Sequence, residues 1–209
     1  MGYSSSDIVT SGPYIQKSNC PPVEPYQIFP AVGPWSDGPD VGPCSSVSSV
    51  GATSTYTYDA AGRLESWEDE YNGHTVPTYD AQGRLTSVVS EVYSVTYTYS
   101  GSTVAESVFW PYRAEGANYQ YNYYQLDASG RPVSATSAFL DDGTVYYEVT
   151  YEYVDCLIVR RQSDFGPDAP QTGVVSVVTY NHDSAGRVLE AVDSDGSVVS
   201  SYDYSCWTQ

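Results

Sequence analysis

Apolar and polar residues alternate with a period of two along most of this chain, and the apolar member is often Tyr. Tyr56-Thr57-Tyr58, Tyr97-Thr98-Tyr99, Tyr119-Gln120-Tyr121-Asn122-Tyr123, Tyr151-Glu152-Tyr153 and Tyr202-Asp203-Tyr204 all follow this rule. Successive side chains of a strand point to opposite faces, so the alternation predicts strands that gather their rings on one sheet face. Nowhere does a 3.6-residue period persist between end caps, so no helix is expected.

The stretches end in a repeated turn, Asp-x-x-Gly-Arg. Four copies occur: Asp59, Gly62 and Arg63; Asp80, Gly83 and Arg84; Asp127, Gly130 and Arg131; Asp183, Gly186 and Arg187. The Asp side chain can accept from backbone N–H groups just ahead of it, Gly can take the left-handed position, and Arg then begins the return strand. Asp59 and Asp80 are 21 residues apart, and Asp127 and Asp183 are 56 apart, or two units of 28. Degenerate copies fill the gaps at Tyr99-Ser100-Gly101 and Tyr153-Val154-Asp155-Cys156, and Tyr202-Asp203-Tyr204 opens a truncated last unit. A second class of turn joins the units, at Tyr71-Asn72-Gly73, Asp141-Asp142-Gly143 and Asp193-Ser194-Asp195-Gly196-Ser197. Turns at both ends predict an all-β, antiparallel up-and-down sheet of hairpins, twisted or spiral.

Residues 1–50 break the pattern. Eight of the 13 Pro lie between Pro13 and Pro43. Pro lacks a backbone donor, so an irregular Pro-rich N-terminal arm is expected before a sheet domain spanning 51–209. Met1-Gly2-Tyr3-Ser4 shows no cleavable leader and reads as the start of a mature fragment.

Composition narrows the partners. Seven Arg and a single Lys face 26 acidic residues, for a net charge of −18. Such a surface repels nucleic acid and anionic membrane, so neither nucleic-acid binding nor membrane insertion is expected. The core must be built from Val, Thr and 22 Tyr, because there are only six Leu and four Ile. The four cysteines, Cys20, Cys44, Cys156 and Cys206, are widely spaced and form no Cys-x-x-Cys pair. Two disulfides and an oxidising compartment follow, secreted or on a cell surface. Three connectivities are possible; Cys20 with Cys44 and Cys156 with Cys206 is the expected one.

The run from Tyr56 to Leu64, with its second copy from Thr78 to Leu85, resembles the YD repeat of the RHS family, and the resemblance extends over about residues 54–206. In that family, mostly bacterial, YD repeats form long spiralling β-sheets that build toxin shells and surface stalks. The resemblance implies an extracellular β-sheet protein with a role in enclosure, adhesion or display. Six or seven units are too few to close a shell of that kind, and no C-terminal toxin domain is visible, so a small freestanding member is the expectation.

Candidate chemistry is sparse. His74 and His182 read as turn or surface residues, and no nucleophile motif, metalloprotease helix or phosphate loop occurs. No catalytic residue and no cofactor are expected; glycoside hydrolysis by paired carboxylates is the enzymatic alternative. Asp193 and Asp195 offer hard oxygens on a tight turn, which makes them candidate Ca²⁺ ligands. Each motif Arg is expected to cover sheet surface with its stem and to pair with an acidic residue of a neighbouring unit. Trp67, Trp110 and Tyr112 are candidate binding aromatics. The expected function is that of a non-enzymatic extracellular structural or interaction protein. It would assemble with itself, as far as a filament, or adhere to another surface protein, through sheet edges and the arm. The alternative is a glycan-binding module.

Overall fold

The alternating stretches are strands. In a computed structural model of the chain, the described residues are 42–60, 63–111, 119–138, 144–155, 157–184 and 186–207. Among them are β1 (Ser45–Ser48), β2 (Thr53–Tyr58), β3 (Leu64–Asp69), β4 (Gly73–Tyr79) and β5 (Leu85–Val89). There follow β6 (Ser94–Ser100), β7 (Thr103–Phe109), β8 (Tyr119–Leu126), β9 (Pro132–Ala138) and β10 (Tyr147–Val154). The last are β11 (Leu157–Phe165), β12 (Val174–His182), β13 (Val188–Asp193) and β14 (Val198–Asp203), with a 3-10 turn at Ser205–Trp207. Every strand pairs antiparallel with its sequence neighbours, as the up-and-down reading requires. Residues 1–41 of the expected arm, with Cys20 among them, Tyr112, the Asp141-Asp142-Gly143 turn and Cys156 lie outside the described residues.

The sheet closes. β1 pairs with β2 on one side and with β14 on the other, in the register Ser45 to Asp203 and Ser48 to Ser200. The expectation of docking through open sheet edges is therefore corrected, because a closed sheet leaves no edge strand to extend. The six or seven units judged too few for a shell suffice for a barrel. Twist accumulates from strand to strand and brings the last strand back to the first. β1 also lies within the stretch assigned to the arm, so the barrel starts at Ser45.

A disulfide fastens the closure. Cys44 bonds to Cys206 across 162 residues, with their Cα atoms 5.8 Å apart. This corrects the expected pairing of Cys44 with Cys20 and of Cys206 with Cys156. The reason is the closure itself: Cys44 immediately precedes β1, Cys206 follows β14, and these two strands are neighbours. The Cys44 N–H also donates to the Asp203 carbonyl at 2.6 Å, continuing the ladder at the seam.

Simple alternation fails mainly at one recurring place, with two further shifts between β11 and β12 and between β13 and β14. Register shifts follow the turns after β2, β4, β8, β10 and β12, so one extra residue enters the return strand. A bulge of this kind turns two residues three apart towards the same face. Leu64 and Trp67, Leu85 and Val88, and Val188 and Ala191 are accordingly all buried. All of these but Ala191 join Val95, Tyr97, Val104, Tyr124 and Tyr151 in one core cluster inside the barrel. The exterior carries Thr55, Glu68, Thr96, Thr98, Glu148 and Thr150 at exposed positions. Val76, Val89, Tyr123 and Leu189 are exposed as well.

Candidate functional site

The motif turns are built from a local chelate. In the second copy the Arg84 N–H donates to Asp80 Oδ1 at 2.9 Å, and Arg84 Nε donates to Asp80 Oδ2 at 2.7 Å. The Asp80 N–H donates to the Arg84 carbonyl at 2.9 Å, and Gly83 sits between them with φ of 79°. Only Gly takes that left-handed region without a steric cost. Asp59–Arg63, Asp127–Arg131 and Asp183–Arg187 repeat the side-chain pairing. These bonds, with backbone donors, hold the Asp80 carboxyl below the usual carboxylate range against an opposing desolvation.

Each Arg then reaches across to the next unit. Arg63, Arg84, Arg131 and Arg187 lie 5.5, 4.6, 4.7 and 4.8 Å from the ring centroids of Tyr79, Tyr99, Tyr153 and Tyr204. The hydroxyl of the same Tyr donates to the carbonyl of the residue after the Arg. Tyr79 reaches Leu64, Tyr99 reaches Leu85, Tyr153 reaches Pro132 and Tyr204 reaches Val188, at 2.9 to 3.0 Å. The ion-pair partner of each motif Arg is thus the Asp of its own turn, not a neighbour's acid as expected. The turn already holds that Asp in place, so the guanidinium is free to stack. Tyr58 makes the same bond to Pro43 at 2.8 Å, across the seam.

Inside the barrel is a second polar feature. Glu106 on β7 is only 3% exposed. Asn122 Nδ2 donates to its Oε1 in a short hydrogen bond, and the Tyr124 hydroxyl reaches the same oxygen at 3.5 Å. Its Oε2 has no hydrogen-bond partner. Burial pushes the Glu106 carboxyl above its ordinary range, and its polar neighbours Asn122, Tyr97 and Tyr124 only partly oppose this. Burial likewise pushes Tyr97 and Tyr124 well above the usual phenol range.

Beside this cluster is a cavity of about 310 Å³. Gln120, Asn122 and Tyr124 of β8 form one wall, and Tyr147, Val149 and Tyr151 of β10 another. Ala135 and Ser137 of β9, Arg161 and Ser163 of β11, and Val175 and Ser176 of β12 complete it. The lining comes from the starts of β8, β10 and β12, the barrel end away from the Asp-x-x-Gly-Arg turns. Sequence reasoning missed this site. Its residues lie on five strands, and only the pairing of β8 through β12 brings them to a common face.

The candidate aromatics separate. Trp67 is 5% exposed and packs in the core, which removes it from any external contact. Its flanking Glu residues suggested exposure, but the bulge after Leu64 turns it inward. Trp110 is half-buried against the same core cluster. Asp193 Oδ1 accepts from the Asp195 and Ser197 N–H groups, and Asp195 Oδ1 accepts from Ser197 at 2.8 Å. Those carboxylates are engaged in shaping the turn. His74 is exposed on β4, whereas His182 stands at the end of β12, where other units carry Tyr. Burial lowers the His182 pKa against the opposing charge of Asp183.

Among known families, the model of the RHS Repeat matches residues 58–93. No curated protein matches the chain. Among solved structures, the chain is similar to part of a TccC3 mutant of the Photorhabdus luminescens Tc holotoxin pore. That likeness has 10% identity and a TM-score of 0.24, and covers 71% of this chain and 10% of that one. It is similar also to part of the TcdB2-TccC3-Cdc42 crystal structure, at 11% identity and a TM-score of 0.24, over 68% of this chain and 10% of that one. The chain therefore spans about a tenth of the length of either.

Proposed function

We propose, on the premise that this chain is an RHS-repeat protein, that it works as a non-enzymatic structural module outside the cell. The observation that carries this reading is the ring of interlocked turns. The Asp and Arg side chains that could form a reactive constellation are bonded to each other and to the next unit's Tyr. Their role there is to fasten one hairpin to the next. A disulfide across the closure suits a protein that lives in an oxidising compartment.

With the sheet edges closed, association with copies of the same chain or with another surface falls to the outer face and to the segment before Gly42. A Pro-rich segment of that length offers extended backbone for docking on a neighbour. Light scattering of the oxidised protein at rising concentration, with and without residues 1–41, tests the reading. A mass that grows with concentration and reverts to that of one chain when residues 1–41 are removed supports it. A single-chain mass in both forms overturns the assembly role.

A further inference from the structure

We propose that the cavity at the barrel end away from the Asp-x-x-Gly-Arg turns is a binding site for a small hydroxylated carboxylate, of the size and chemistry of a sugar acid. At about 310 Å³ it lies at the small end of the range for ligand sites, roughly 300 to 1,000 Å³, and suits a single sugar ring. Its wall is polar: Gln120 Nε2 donates to Asn122 Oδ1 and to Ser137 Oγ, both at 3.1 Å, which leaves Gln120 Oε1 and the hydroxyls of Ser163 and Ser176 to bond the hydroxyls of a ligand. Tyr147 offers a ring face at the rim, steadied by Phe165 at 5.9 Å between centroids.

Arg161 sets the charge of the ligand. It is the charged side chain of the lining, and among the described residues no carboxylate lies within ion-pair distance of it. Its Nε is buried without a hydrogen-bond partner. A guanidinium keeps its proton at any ordinary pH, and its planar fork matches a carboxylate. The buried acid Glu106 is engaged by two wall residues, as Asn122 and the Tyr124 hydroxyl both turn to its Oε1. Arg161 gives the cavity lining a positive charge inside a protein of charge −18. Screening over about 8 Å at physiological salt weakens the repulsion from the outer surface.

Calorimetric titration of the oxidised full-length protein with glucuronate, and with glucose as its neutral counterpart, tests this. Glucuronate is expected to bind with one site per chain and glucose at least about tenfold more weakly, the ordinary worth of a charge-assisted hydrogen bond. Arg161→Gln is expected to lower glucuronate affinity to the level of glucose. Ser176→Trp, at an exposed position of the rim, is expected to abolish both. Absence of saturable heat with glucuronate overturns the proposal. So does equal binding of the two sugars, or glucuronate binding unchanged by Ser176→Trp. The comparison of the two sugars on the unaltered chain decides the charge preference even where Arg161→Gln fails to fold.

Discussion

The guanidinium of Arg84 lies 4.6 Å from the ring centroid of Tyr99, one hairpin further on, while its Nε is held by Asp80 at 2.7 Å. One side chain thus closes its own turn and clamps the next. A cation over an aromatic face adds roughly 0.5 to 2 kcal/mol, depending on how far it is shielded from water. Repeated around the barrel, this contact makes the turn motif a connector between units.

The four clamps differ in burial, and substitutions should follow that order. The Arg131 and Asp127 side chains are 5% and 3% exposed, against 41% and 20% for Arg84 and Asp80. Arg131→Ala leaves a buried carboxylate unpaired and is expected to cost about 3 to 5 kcal/mol. Arg84→Ala should cost a small fraction of that, since exposed pairs contribute little. Urea unfolding of the two variants side by side measures the difference, and equal losses would contradict it.

The seam disulfide should contribute more than any single turn. In the chain-entropy account a loop of this length, 162 residues, corresponds to about 5 kcal/mol. The Cys44→Ser/Cys206→Ser variant is expected to unfold at markedly lower denaturant. Its earliest hydrogen exchange should appear in β1 and β14. Uniform exchange across the barrel would place the weak point elsewhere.

Glu106 gives the protein a pH dependence of known sign. Its folded pKa is raised by burial. The folded state therefore holds this proton more tightly than the unfolded chain. The associated stability is complete below the unfolded value of about 4.3 and is lost as pH rises through the folded value. Glu106→Gln removes the ionisation, so it should stabilise the protein at neutral pH and make no difference at about pH 3, below the ordinary carboxylate range. Thermal melts across that range check both halves.

His182 occupies the place that Tyr79, Tyr99, Tyr153 and Tyr204 hold in other units, and its Nε2 is buried without a hydrogen-bond partner. Its pKa is lowered by burial, so its contribution is present above the unfolded value of about 6.5 and is lost as pH falls through the folded value. His182→Tyr should restore the hydroxyl bond to the carbonyl of Ile158, the residue paired with Tyr153, adding about 1 kcal/mol, and remove the loss on acidification. A variant no more stable than the parent, with the same acid sensitivity, would show that the position has been rebuilt for His.

How much of this was legible in the sequence depended on range. The turns were, because Asp80, Gly83 and Arg84 meet within five residues and their chemistry is local. The degenerate units were too, since Tyr99 keeps its place in the repeat even where Gly101 replaces the full motif. Closure was not, because nothing in Ser45 or Asp203 states that they will be neighbours; that follows only from the number of units and the twist summed over all of them. The Cys44–Cys206 bond was hidden for the same reason. Trp67 was obscured by the bulges, which shift the inward set by one residue after each turn, and the cavity at Arg161 by the spread of its lining over five strands.

The seam falls where a seventh Asp-x-x-Gly-Arg turn would stand. The chain leaves β14 at Tyr204, which already bonds back to Val188, and the Tyr58 hydroxyl donates to the Pro43 carbonyl as though Pro43 followed an ordinary turn. To the barrel, then, the ends of the strand order are one junction among equals. A five-residue linker of the motif sequence could replace the disulfide there, and the chain could be cut open instead between Gly101 and Ser102. Such a circular permutant keeps every clamp, and the starting point of the polypeptide becomes a convention of its connectivity.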